Sequence, residues 1–161
     1  MIGRQAFKGA GVLMSYRHDD GSWQVLLFRR AIQPDLGRWS VVGGRREPGE
    51  SPAQAALREA VEEAFGGHRP EMFLEKLGGY LPERFDMASC PSTQLWLPGM
   101  FQYHTFLVEF THEVPLEVFT PNWESDACRW FPADHLPPDA HRALPWTVRR
   151  LGLLGKRRHN P

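Results

Sequence analysis

Three glutamates within five residues, Glu59, Glu62 and Glu63, are the side chains in this sequence whose type and spacing best suit chemistry. At 100° per residue, positions i, i+3 and i+4 of a helix project into one small volume. Three carboxylates crowded there repel one another and cost an isolated helix a few tenths of a kcal/mol per pair. A hard divalent cation reverses that sign, because Mg²⁺ binds through one or two carboxylates together with substrate phosphates. Arg58 stands beside Glu59 and four residues before Glu62, placed to pair with Glu62 or to orient a neighbour.

The elements that must position these groups are legible around them. Ser51 is a good N-cap, Pro52 suits the first helical position, and Gln54 completes a capping box. The spacing predicts a helix from about residue 51 to 65, stopped by Gly66-Gly67. Ala53, Ala56, Leu57, Ala60, Val61 and Ala64 form its apolar stripe, and the three glutamates fall roughly 150° away. Before the helix, Pro48 and Gly49 mark a turn, and the short strand 38–42 leads into Gly43-Gly44.

These positions together resemble the signature of the Nudix hydrolase family. That signature runs Gly, five residues, Glu, seven residues, Arg-Glu, an aliphatic residue, any residue, Glu-Glu, any residue, Gly, an aliphatic residue. Gly44, Glu50, Arg58, Glu59, Glu62 and Glu63 match at the same spacing. Three positions depart: Ala60 is a small aliphatic, Phe65-Gly66 puts the closing glycine one residue late, and Val42 stands where many members carry Pro. None touches a carboxylate.

The resemblance implies an α/β/α sandwich around a central mixed sheet, and a metal-dependent pyrophosphohydrolase. On that basis Glu59, Glu62 and Glu63 hold one to three Mg²⁺ or Mn²⁺ ions, with Glu50 assisting as a ligand or standing just behind the ligands, and the Gly43 carbonyl as a further ligand. Family members often place a substrate-binding arginine near the end of the second strand, which makes Arg30 the candidate, Arg29 a lesser one, and a solubilising surface role the alternative for both. Gly44 and Arg45 are assigned to substrate binding. Many members also carry an acidic residue in a loop before a Trp-containing strand, as extra metal ligand or general base. Glu124 fills that position, and Asp126 is the fallback.

The substrate class implied is a nucleoside diphosphate linked to another group. Pro82, sixteen residues beyond Gly66, resembles a feature of ADP-ribose-type members, while the paired arginines suit a (d)NTP substrate. The alternative is a catalytically silent Nudix-fold nucleotide sensor. Such modules usually lack a metal carboxylate, and all three are present here.

Composition bounds the rest. The chain has 161 residues, enough for one domain with a sizeable core, and a single domain over 1–161 is the expectation. Lys plus Arg and Asp plus Glu balance at 19 each, so no broad electrostatic footprint for polymeric nucleic acid is expected, only a small-molecule nucleotide. Cys90 and Cys128 have neither disulfide-framework nor zinc spacing. With no apolar run of 18 residues and no secretory leader, cytoplasmic is the default location, and a homodimer is compatible.

Along the chain, 6–30 reads as a hairpin and 72–85 as mostly extended, with Gly78-Gly79 as a bulge. Residues 86–100 read as an irregular loop in which Trp96 and Met100 either wall a pocket or pin the loop to the core. Residues 101–110 read as a strand carrying a packed His104. A helix over 138–154 is expected to be kinked or restarted by Pro145, and Lys156-Arg157-Arg158 is expected to be a solvated tail.

Overall fold

The computed structural model describes residues 6–155, and the Lys156–Arg158 run lies outside them. Strands β1 (Phe7–Arg17) and β2 (Trp23–Arg30) form the hairpin, followed by β3 (Trp39–Ser40), β4 (Val42–Arg45) and helix α1 (Pro52–Phe65). Helix α2 (Met72–Leu77), strands β5 (Ser92–Leu97), β6 (Phe101–Phe110) and β7 (Ser125–Pro132), and helix α3 (Leu144–Arg150) complete the order. The sheet runs β3-β2-β1-β6-β5, with β4 also on β1 and β7 on β2. Only the β1–β6 pairing among these is parallel, so the sheet is mixed.

Strand alternation sorts the core into two layers. Ala10, Val12 and Met14 face α1, with Leu26, Phe28 and Phe106 beside them. Leu13, Val25, Leu27 and Leu107 face the other way, against Leu144 and Val148 of α3. The result is the helix–sheet–helix sandwich around a mixed sheet that the resemblance implied.

Helix α1 begins as the sequence requires. The Ser51 hydroxyl accepts from the Gln54 amide at 3.1 Å, and the Gln54 side chain accepts from the Ser51 amide at 2.9 Å. Gly66 closes the helix in the left-handed conformation at φ 63°. The buried stripe is wider than the periodicity indicates: Ala55 is fully buried, whereas Ala53 and Leu57 are only partly so. Ala60 is fully enclosed against the sheet, which explains why a small residue stands at that aliphatic position.

Four expectations are corrected. Residues 72–77 are helical, not extended, because Phe73 and Leu77 bury one face at a helical i, i+4 spacing; Gly78-Gly79 opens a 3-10 turn. Residues 92–97 form an edge strand inside the segment read as a loop. Of its six residues only Thr93 is buried, so no apolar alternation announced it. Helix α3 starts at Leu144 with Pro145 in its first turn, so the proline initiates rather than kinks it. Trp96 and Met100 are 62% and 71% exposed and neither wall a pocket nor pin the loop.

Candidate active site

The site is organised by a split in the sheet. Along one edge of β1, Met14–Arg17 pair with β2, while Gly9–Val12 pair with Val42–Arg45 of β4. The two partners therefore diverge past Met14, and the glycine pair of β4 lines the opening. Gly44 faces α1: a Cβ there would lie 2.6–2.8 Å from the carboxylate atoms of Glu59. Gly43 faces the opposite side, and its amide donates to Glu63 Oε2 at 2.6 Å. Two residues without side chains thus let carboxylates of α1 approach the strand backbone directly.

Arg58 is the hub of the acidic cluster. Its Nε and Nη2 donate to the two oxygens of Glu50 at 2.8 and 2.9 Å, a bidentate pair, and Nη2 also donates to the Arg45 carbonyl at 2.9 Å. Its Nη1 reaches Glu59 at 3.1 Å and Glu62 at 3.4 Å. Hydrogen bonding from Arg58 holds the Glu50 carboxyl below the usual range. Both Glu50 oxygens are also engaged, because Oε1 accepts from the Glu47 amide at 2.7 Å.

The remaining carboxylates are not splayed into solvent. Glu63, placed by helical periodicity on the polar side, is only 6% exposed. Burial first, then a hydrogen bond with Glu124, pushes its carboxyl up to about 9. Burial also raises Glu59, against the pull of Arg58 and with the push of Glu62 and Glu124. Glu124 comes from 61 residues further along the chain. The 120–124 loop is clasped to the end of α1 by Thr120 N to Ala64 O at 2.9 Å and Asn122 N to Glu63 O at 3.0 Å. Its companion Asp126 instead pairs with Arg29 at 2.7 Å, so neither belongs to this cluster. Arg30 donates from Nε to the Pro34 carbonyl at 2.7 Å and lines the opening, as does Arg45, whose guanidinium lies 4.9 Å from the centre of the Phe7 ring. His104 packs against Phe106, with ring centres 6.4 Å apart.

The donor set is all oxygen, which suits Mg²⁺ or Mn²⁺ rather than a softer ion. Glu59 and Glu62 share Arg58, while Glu63 is buried beside Glu124 with the Gly43 amide as its donor, and carboxylates crowded in this way have the chemistry to accept a hard divalent cation. Among the described residues no three acidic, imidazole or thiol side chains stand gathered for a metal, since Arg58 holds Glu59 and Glu62 while Gly43 holds Glu63.

Beyond the glycine pair the opening widens into a cavity of about 400 Å³. Its lining includes Phe7, Tyr103 and Trp146, which sequence reasoning missed. The glycines on β1 make a bed for the Tyr103 ring, since a Cβ at Gly11 would come 2.5 Å from its hydroxyl. Burial raises the Tyr103 hydroxyl above its ordinary range, and the charges of Glu63 and Glu59 raise it further, which ties the cavity to the carboxylates.

The helix–sheet–helix sandwich thus carries a split mixed sheet, a capped glutamate helix and a glycine pair against its carboxylates. Residues 7–151 match the NUDIX domain family, and the chain belongs to it. Nudix hydrolases act on phosphorus-containing acid anhydrides. An RNA pyrophosphohydrolase of Rickettsia africae is 32% identical over 111 residues, and the match spans 66% of this chain and 66% of that protein, about two thirds of each. A Nudix hydrolase from M. smegmatis, RenU, has 25% identity and a TM-score of 0.63, covering 94% of this chain and 86% of that one. The C. elegans Ap4A hydrolase shares the fold at 18% identity, with a TM-score of 0.63, covering 91% and 96%. Among the described residues no helix is long and apolar enough to cross a membrane.

Proposed function

We propose that this protein is a Mg²⁺- or Mn²⁺-dependent pyrophosphohydrolase that cleaves the diphosphate linkage of a nucleoside 5′-diphosphate derivative. The observation that carries this reading is the carboxylate cluster itself: Glu63 buried beside Glu124 and held by the Gly43 amide, with Glu59 and Glu62 on Arg58. Glu59, Glu62 and Glu63 would hold the cation, with Glu124 and the Gly43 carbonyl available to complete its shell. Bound there, it would supply charge neutralisation for the diphosphate and acidify a water molecule.

The chain's own residues do the rest. Glu50, fully engaged by Arg58 and the Glu47 amide, positions Arg58 rather than binding metal. Arg58 in turn orients Glu59 and Glu62. Arg30 and Arg45, at the mouth of the cavity, are placed to bind phosphate oxygens. A carboxylate, Glu124 or one from the helix, accepts the proton of the attacking water as the new O–P bond forms and the bridging P–O bond breaks. The work is positioning and electrostatics rather than covalent catalysis.

The similarity to RNA pyrophosphohydrolases adds the 5′-triphosphate end of RNA to ADP-ribose, nucleotide sugars, dinucleoside polyphosphates and (d)NTPs as substrates to test. The experiment is that panel with Mg²⁺, following release of phosphate, pyrophosphate or nucleoside monophosphate. Turnover of at least one compound, abolished by EDTA, is expected. Nucleotide binding without turnover of any of them refutes the hydrolase reading in favour of a sensor.

A further inference from the structure

The sheet ends on one side at β5, whose only strand partner among the described residues is β6. The Leu107 amide donates to the Pro91 carbonyl at 2.8 Å, and the register puts Thr93, Leu95 and Leu97 at the positions that bond to β6 in the same way. By alternation, the amides and carbonyls of Ser92, Gln94 and Trp96 point off the edge of the sheet. A row of this kind is a template for a further strand.

Proteins blunt such edges with short strands, charges or cover. The other strands with a single partner obey this rule: β3 is two residues long, β4 runs into Arg45-Arg46, and β7 carries Asp126 and Arg129. Strand β5 does not. It is six residues long, and no Lys, Arg, Asp or Glu stands between Asp86 and Glu109. Ser92 and Gln94 are exposed, and Trp96, Leu97 and Met100 present a large apolar surface beside them.

The strand's own pattern says what fits. Two copies of β5 set antiparallel about a two-fold axis at Gln94 bring Gln94 against the partner's Gln94 and Ser92 against the partner's Trp96. Each of these is an outward-bonding pair, so the backbone groups of the two edges satisfy one another. The large indole lies beside the small serine, and the two glutamine amides each donate and accept. No like charges meet, whereas a charged peptide would find no counter-charge along this edge. Pro91 and Pro98 bound the strand and limit pairing to these six residues. We infer that two copies of this chain associate through β5, edge to edge and antiparallel, into one continuous sheet. An edge that pairs with itself is consumed, so association stops at two. A pairing of this length with two tryptophans covers on the order of 1,000 Å² in total, the low end for specific complexes, and suits a dissociation constant of about 10 μM.

Sedimentation velocity of the full chain, from tenfold below to tenfold above that concentration, tests the inference. Wild type should pass from monomer to dimer and no further. Gln94→Lys sets like charges opposite each other at the axis, and Gln94→Glu does the same with the other sign; each alone should weaken association at least fivefold. An equal mixture of the two should restore the dimer, because opposite charges then face each other, a result that only self-pairing centred on this residue gives. Trp96→Ala, which truncates a side chain 62% exposed, should also weaken association at least fivefold and keeps the test open if a charge variant fails to fold. Wild type that stays monomeric, association that continues past the dimer, a dimer unchanged in a folded Gln94→Lys or Trp96→Ala, or no recovery in the mixture of folded charge variants overturns the inference.

Discussion

Glu63→Gln makes the sharpest test of how the acidic cluster is balanced. The carboxyl is nearly buried, accepts from the Gly43 amide and shares a hydrogen bond with Glu124. Its folded-state value near 9 lies above the ordinary 4.5, so the native state binds this proton more tightly than the unfolded chain does. The stabilisation from that proton is full below about pH 4.5 and is lost as pH rises toward 9. At about 1.4 kcal/mol per pH unit, about 3 kcal/mol has gone by pH 7. The glutamine keeps an oxygen for Gly43 and offers an N–H to Glu124, reproducing the protonated form without titrating. In EDTA at pH 7 the variant is therefore expected to be more stable than wild type by up to about 3 kcal/mol, or roughly 6–12 °C in Tm for a chain of this size. Calorimetry or urea unfolding at pH 5.5, 7 and 8.5 reads the difference. It should grow with pH, and Mg²⁺ should stabilise wild type while leaving the variant unchanged. A difference that is flat with pH, or a variant less stable throughout, refutes the reasoning.

The other predictions concern neighbours of the same cluster. Glu62→Gln should lower kcat by orders of magnitude with Tm within a few degrees of wild type, since the side chain is 36% exposed; wild-type turnover would remove Glu62 from the machinery. Gly44→Ala puts a methyl 2.6–2.8 Å from the Glu59 carboxylate, and displacing that group should cost about 10²-fold in kcat/KM in a steady-state assay. Arg58→Ala removes the bidentate Glu50 pair and should cost about 3 kcal/mol in urea unfolding, with Arg58→Lys restoring only part because it lacks the fork. Glu124→Gln should reduce kcat at least tenfold while Asp126→Asn, bound to Arg29 outside the cluster, stays within about twofold; the reverse order in parallel assays would exchange their roles.

The parts legible in the sequence are those governed by local rules. The capping box at Ser51 and Gln54, the left-handed Gly66 and the hairpin of β1 and β2 each depend on residues a few positions apart. The family signature lies in one such continuous stretch. What escaped depends on contacts distant in sequence. The α2 helix is only six residues long and shows one i, i+4 apolar pair, too little for a clear period. Strand β5 sits at a sheet edge with a single buried position, so its strand character comes wholly from pairing with β6. Glu63 looked like surface because periodicity assigns a face but does not reveal that the 120–124 loop and Gly43 close over it. The cavity escaped for the same reason. Phe7, Tyr103 and Trp146 sit in separate elements, and only the parallel β1–β6 pairing and the docking of α3 bring them together.

The claim on which the account rests is that cations sit among the α1 carboxylates. Titration of the protein with Mn²⁺, followed by electron paramagnetic resonance, measures this directly and independently of any substrate. Wild type should take up at least one Mn²⁺ in competition with Mg²⁺, and Glu59→Gln, Glu62→Gln and Glu63→Gln should each weaken that binding tenfold or more. Mn²⁺ uptake unchanged in all three variants would contradict it.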